Sequence, residues 1–179
     1  MSLNSKYLDI LRVVGGLVCD IGANKGMSAI SISKVNSTMS IISFEPNICL
    51  EPSLSYCKLF FLSENVPSRF DYAMIGFGSE RKLLDFYIPV VDGQYVTTEA
   101  SFSRENFEKD WVKCRIEGYS RNKRFDLLPV KLNIIPFDEL SLLPEIVKID
   151  TEGFEFEVIS GMKSTIEKCK PMFFLENSG

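Results

Sequence analysis

The sequence predicts an α/β domain: a doubly wound, mostly parallel sheet with helices on both faces. Three observations carry this. Short apolar runs alternate with stretches of helical periodicity along most of the chain, and such alternation requires crossover connections. The first run, Leu17 to Ile21, ends in a glycine-rich turn that leads into a helical stretch. The 179 residues, 45% hydrophobic and 25% charged, suffice for one domain with its own core and do not have a disordered composition.

The elements follow in order. Tyr7, Leu8, Leu11 and Val14 recur at helical spacing, and Gly15-Gly16 stops that helix. Leu17 to Ile21 is a buried strand, Gly26 to Val35 a helix and Ser40 to Phe44 a second strand. Pro52 sits where the first turn of a helix accepts proline, and this helix runs through Phe61. Phe70 to Ile75 is a third strand and Leu83 to Val91 a longer, alternating one. Val130 to Ile135 and Ile146 to Asp150 are strands. After Gly153 comes a helix with Phe154, Val158, Ile159, Met162 and Ile166 on one side, and Pro171 introduces a last strand, Met172 to Leu175. The chain reads as one domain over residues 1–179, with an irregular insertion at about 92–128.

Composition removes whole classes of chemistry. Lys plus Arg is 20 against 24 Asp plus Glu, a net charge of −4, so no nucleic-acid partner is expected. There is no histidine, which excludes Ser-His-Asp triads, Cys-His dyads and any histidine base. The five cysteines are odd in number and lack C-x-x-C spacing, as in reduced, buried thiols of a cytoplasmic protein. No stretch approaches the roughly 20 apolar residues of a membrane span, so no membrane insertion is expected.

In a doubly wound sheet the ligand lies beyond the carboxyl ends of the strands. The first strand ends Asp20-Ile21-Gly22-Ala23-Asn24-Lys25-Gly26, and the following helix offers N–H groups to an anion. The second strand ends at Glu45, 25 residues after Asp20, near where an acidic residue takes a ribose diol. A dinucleotide fingerprint needs glycine where this chain has Asn24 and Met27, whose side chains crowd a pyrophosphate. S-adenosylmethionine has a ribose and an adenine without a pyrophosphate, and Asp20, Asn24 and the loop N–H groups suit its methionine part. A glycine turn in a non-binding α/β protein is the plain alternative.

These residues, with Ser43-Phe44-Glu45-Pro46-Asn47, Val147-Lys148-Ile149-Asp150-Thr151-Glu152-Gly153-Phe154-Glu155, Gly161 and Pro171 to Glu176, resemble the FkbM family of S-adenosylmethionine-dependent methyltransferases. The resemblance implies a Rossmann-like class I methyltransferase fold. It also implies O-methylation of hydroxyls on sugars, glycolipids or secondary metabolites. By the same resemblance Asp20, Gly22, Asn24, Gly26 and Glu45 contact the cofactor. The third strand ends near the adenine, with Asp71 and Ala73 as further candidates.

Asp150, Glu152, Glu155 and Glu176 approach one crevice in this topology. Without histidine, a carboxylate is the natural base for a hydroxyl nucleophile. Glu152 or Glu155 comes first, then Asp150; alternatively Asp150 and Glu155 position backbone, and Glu155 complements a helix N-terminus. The other use of such a cluster is to hold Mg²⁺ or Ca²⁺, but no carboxylate spacing here is diagnostic and no metal is expected. Lys148, unusual inside a parallel strand, must pair with an acid such as Asp20, Asp150 or Glu152.

Lys113, Arg115, Arg121, Lys123 and Arg124, interleaved with Trp111, Tyr119 and Phe125, suit a lid over a small-molecule or glycan acceptor, or else a solvated loop. The rival functions are a dinucleotide-dependent oxidoreductase and a non-catalytic binding module. The implied fold continues past Leu175 with two more strands, whereas this sequence stops at Gly179. The expectation is therefore a sheet without the C-terminal strand hairpin. Its Met172–Leu175 edge is open in a longer chain cut short here, covered by the Val130–Ile135 or Leu83–Val91 strand, or buried in a homodimer.

Overall fold

The computed structural model describes residues 16–64, 66–119 and 124–175. The helix expected over Tyr7 to Val14, together with Arg121, Lys123 and Glu176, lies outside them. The chain folds as two compact units, one built from the residues through Arg81 and those from Ile135 onward, the other from Lys82–Ile134.

The first unit carries β1 (Leu17–Ile21), α1 (Met27–Val35), β2 (Ser40–Phe44), α2 (Glu51–Ser63), β3 (Arg69–Ala73) and β4 (Gly76–Phe77). The second is crossed by β5 (Lys82–Val91), β6 (Gln94–Tyr95), α3 (Asp110–Glu117) and most of β7 (Asp126–Ile135). The chain returns to the first unit with β8 (Ile146–Ile149), α4 (Glu155–Ser160), α5 (Lys163–Cys169) and β9 (Met172–Leu175).

The main sheet runs β3-β2-β1-β8-β9 with every pairing parallel. Its central strands β1 and β8, and most of β2, are buried on both faces, which is why they read as short apolar runs, whereas the outer strands β3 and β9 are partly exposed. Alternate residues feed two cores. Val18, Ile41, Ile146 and Phe174 pack with Ala29, Ile32, Cys57 and Phe61 of α1 and α2. Cys19, Ile21, Phe44, Val147 and Ile149 pack with Phe137 and with Val158 and Met162 of the C-terminal helical region. Phe44, Phe77 and Phe137 meet edge to face, with centroids 4.9 to 6.0 Å apart. Burial holds the Cys19 thiol up at about 12 and that of Cys57 at about 11, so both stay protonated.

The single helix expected after Gly153 is two, α4 and α5, divided at Gly161. A Cβ at Gly161 would lie 2.0 Å from the Gly78 carbonyl oxygen. Backbone packing at this point admits only glycine, and the helix breaks there. Asp138 then caps α5 from outside, accepting the N–H groups of Ser164 and Thr165 at 2.9 and 2.8 Å.

β9 pairs with β8 alone among the described residues, at the margin of the sheet. Neither the Val130–Ile135 nor the Leu83–Val91 strand is hydrogen-bonded to it: β5 and β7 pair with each other, antiparallel, from Lys82↔Ile134 to Val90↔Asp126. Within the second unit, the segment expected to be irregular contains α3, whose Val112 and Ile116 pack with Val91, Val96 and Phe107. β7 also begins at Asp126, four residues before the expected start, and runs through Pro129. Trp111, 52% exposed, lies between Lys109 and Arg115, 5.9 and 5.7 Å from its ring centroid.

Candidate functional site

The carboxyl ends of β1, β2 and β8 bring most of the expected site residues together. Asp20 pairs in register with Ser43 on one side and Lys148 on the other. The three therefore stand in a row across adjacent strands, on the face covered by α1 and α2. Asp20 is wholly buried. Its Oδ2 accepts the Ser43 hydroxyl at 3.0 Å. Its Oδ1 lies 3.1 Å from Lys148 Nζ but accepts no well-directed hydrogen bond, so the compensation is charge more than geometry. Lys148 Nζ also lies 3.4 Å from Asp150 Oδ2 and donates to the Gly22 carbonyl oxygen at 3.4 Å. Burial alone would lower the Lys148 pKa, but the Asp20 and Asp150 carboxylates outweigh it and hold the ammonium protonated above its ordinary value.

The turn after β1 is built for close approach. Gly22, Asn24 and Gly26 all have left-handed backbone, with φ of 77°, 51° and 79°. A Cβ on Gly22 would lie 1.8 Å from the Asp150 carbonyl oxygen, and one on Gly26 would press on Cys57 and Leu54 of α2. The loop N–H groups, expected to meet a ligand, are spent internally. Those of Gly22 and Ala23 go to Phe44 O at 2.9 and 3.1 Å, and that of Gly26 to Ala23 O at 2.9 Å. Donors open to an anion include the first-turn N–H groups of α1, which no helix satisfies internally.

Glu45, 6% exposed, joins two loops. Oε2 accepts the N–H of Asn24 and Oε1 that of Asn47, both at 2.9 Å. Burial raises its pKa, against the lowering effect of those two bonds. Each oxygen keeps a second lone pair, so the carboxylate can still accept two hydroxyls. The residues thus fit a ligand with a vicinal diol at Glu45 and a carboxylate at the start of α1. Asp71 is placed differently: two residues before the end of β3, it pairs with Lys58 of α2 at 2.8 Å, which lowers its pKa.

The β8 side is organised locally. Glu155 Oε1 accepts the N–H groups of Thr151 and Gly153 at 3.0 and 3.1 Å and the Thr151 hydroxyl at 3.1 Å. Asp150 faces Lys148. Glu152 is exposed and has left-handed backbone, φ 53°, a conformation that costs a non-glycine residue about 1–3 kcal/mol. Among the described residues no group of three acidic, cysteine or histidine side chains could hold a metal ion, and no helix is long and apolar enough to cross a membrane.

Sequence reasoning finds the pairing of Lys148 with Asp20 and Asp150. It does not single out Ser43 or Asn47, and the available signal is polar residues at the end of an otherwise apolar strand. Asn47 is buried, and its Oδ1 accepts the Cys49 N–H at 3.1 Å.

Comparison with known proteins identifies the lineage. The curated proteins compared give no match. In fold the chain is similar to the crystal structure of methyltransferase FkbM from Methylobacillus flagellatus KT, with a TM-score of 0.57 at 17% sequence identity. The match covers 88% of this chain and 32% of that one, so the chain spans about a third of the length of that protein. The family model for the methyltransferase FkbM domain matches residues 20–179, which takes in every loop described above. This chain belongs to the FkbM methyltransferase domain family.

Proposed function

We propose that the crevice binds S-adenosylmethionine and that the domain transfers its methyl group to a hydroxyl of a sugar, glycolipid or secondary metabolite. The observation that carries the cofactor reading is Glu45: a buried carboxylate that anchors two loops by one lone pair per oxygen and keeps the other pair for a ribose diol. The methionine carboxylate is received by the first turn of α1 and the exposed side chain of Asn24, with Gly22 and Gly26 leaving the backbone bare. Asp20 is buried beneath the turn and serves it from below, through Ser43 and Lys148. Asp71, paired with Lys58, is left out of the proposed set.

When bound, the cofactor supplies an electrophilic methyl group, and the protein's remaining tasks are alignment and removal of the hydroxyl proton. Glu152 is the proposed base. Glu152 is exposed on the loop that follows β8, where an acceptor hydroxyl can reach its carboxylate, and its left-handed backbone turns that loop. Its carboxylate would accept the proton of the acceptor hydroxyl, whose oxygen takes the methyl group while the S–C electron pair stays with sulfur and S-adenosylhomocysteine leaves.

Equilibrium titration with S-adenosylhomocysteine and, separately, with NAD tests the cofactor. Saturable binding of the first and none of the second is expected. Binding of NAD alone makes the domain a dinucleotide protein, and binding of neither makes it a non-catalytic module.

A further inference from the structure

We propose that Lys148 is a positioning residue for the methyl-donor site, one ammonium that fixes the glycine turn after β1 against the end of β8; this rests on the cofactor reading above. An ammonium has three donors and no acceptor. The three oxygens around Lys148 Nζ belong to Asp20 within β1, to the Gly22 carbonyl of the turn and to Asp150 after β8, at 3.1, 3.4 and 3.4 Å. Neutralising Asp20 would need only the first of these.

The other two meet at the tightest point of the site. The missing Cβ of Gly22 lets its Cα pass directly over the Asp150 carbonyl, where a methyl group would come within 1.8 Å. The Asp150 N–H in turn donates to Ile21 O at 3.0 Å. The turn and the strand end therefore have no slack, and the residue that draws the Gly22 carbonyl and the Asp150 side chain to one cation sets their separation. That separation is also the distance between the methyl donor's loop and the loop bearing Glu152. The charge count agrees with a cationic ligand, because Asp20 and Asp150 bring two negative charges to a single ammonium. Lys148 is 13% exposed by side chain, on the face where its strand neighbour Ile146 is simply packed. A parallel strand does not bury lysine for packing alone.

A double-mutant cycle separates positioning from charge neutralisation. S-adenosylhomocysteine affinity is measured by calorimetry for the wild type, D20N, K148M and D20N/K148M. The double variant removes both members of the buried pair, so it leaves no orphaned carboxylate at position 20 and stays comparable with D20N. Lys148 as a positioning residue predicts that D20N/K148M binds about tenfold more weakly than D20N, with faster amide exchange at Gly22 and Asp150 in the ligand-free protein. Equal affinity and equal exchange in D20N and D20N/K148M overturn the proposal and reduce Lys148 to a counter-ion. A wild-type chain that does not bind S-adenosylhomocysteine overturns the cofactor reading first and the proposal with it, so the two failures are told apart by the wild-type titration.

Discussion

Two carboxylates organise the two sides of the crevice, and they do so in different ways. Glu45 reaches 21 residues back to the Asn24 N–H and forward to Asn47, with one oxygen for each loop. Glu155 works within four residues, and a single oxygen takes all three of its donors. Glu45 is nearly sealed, whereas Glu155 is half-buried. The β1–β2 side is thus tied by bonds between separate loops, the preorganisation that the proposed cofactor site would profit from. The β8 side holds its shape locally and presents an exposed Glu152 with left-handed backbone, as the proposal of an acceptor on that side requires.

The two sides of the crevice should respond differently to substitution. The largest effect is expected at Glu152: once an acceptor is identified, Glu152→Gln should lower turnover by about 10²–10⁴-fold with S-adenosylhomocysteine affinity nearly unchanged. Full turnover would show that alignment alone carries the reaction. Next comes Glu45→Ala, which should weaken S-adenosylhomocysteine binding roughly ten- to a hundredfold, because a hydrogen bond to a charged group contributes about 1.5–3 kcal/mol. Calorimetry on the folded variant reads this directly, and an unchanged affinity removes Glu45 from the site.

Glu155→Ala should cost about 1–2 kcal/mol in denaturant unfolding and leave cofactor affinity within a few-fold. A loss as large as that at Glu45 would erase the distinction between the two sides. The same distinction has a pH signature. Burial raises the Glu45 pKa, so the folded protein holds this proton more tightly than the unfolded chain does. Its stabilising contribution is complete below the ordinary carboxylate range and is lost as pH rises through the raised value. Melting temperatures of the wild type relative to Glu45→Gln should therefore fall as pH is raised across that window. A flat difference would show that Glu45 is not desolvated. The smallest effect is expected at Asp71→Asn, whose exposed pairing with Lys58 should be nearly silent in both melting temperature and cofactor affinity.

Legibility from sequence follows burial. β1, β2 and β9 occupy the predicted Leu17–Ile21, Ser40–Phe44 and Met172–Leu175, because each is a short apolar run bounded by Gly, Pro or charge; β1 and β2 are largely buried on both faces, while β9 at the margin keeps Met172 and Leu175 exposed. The turn residues and Glu45 are legible because left-handed backbone and a buried acid leave a mark in residue type. Two things are not. α3 turns only Val112 and Ile116 inward among Asp, Lys, Arg and Glu, too few apolar positions to show a period. The start of β7 is hidden by Pro129, which opposes Tyr87 of β5, itself bridged to Ser101 on its other side. The internal commitment of the loop N–H groups was equally invisible, since a backbone bond carries no side-chain signature.

The order of the main sheet has a consequence for synthesis. β1 lies between β2 and β8, yet β8 begins 125 residues after β1 ends, at Ile146 against Ile21. A ribosome adding about 5–20 residues per second takes roughly 6–25 s over that interval. Throughout it, one side of the central strand has no permanent neighbour. A nascent chain in that state displays a bare row of peptide groups flanked by Val18, Cys19 and Ile21, the feature that recruits chaperones or other unfinished chains. Expression yield should therefore respond to temperature and to the supply of such helpers more strongly than the finished fold would suggest.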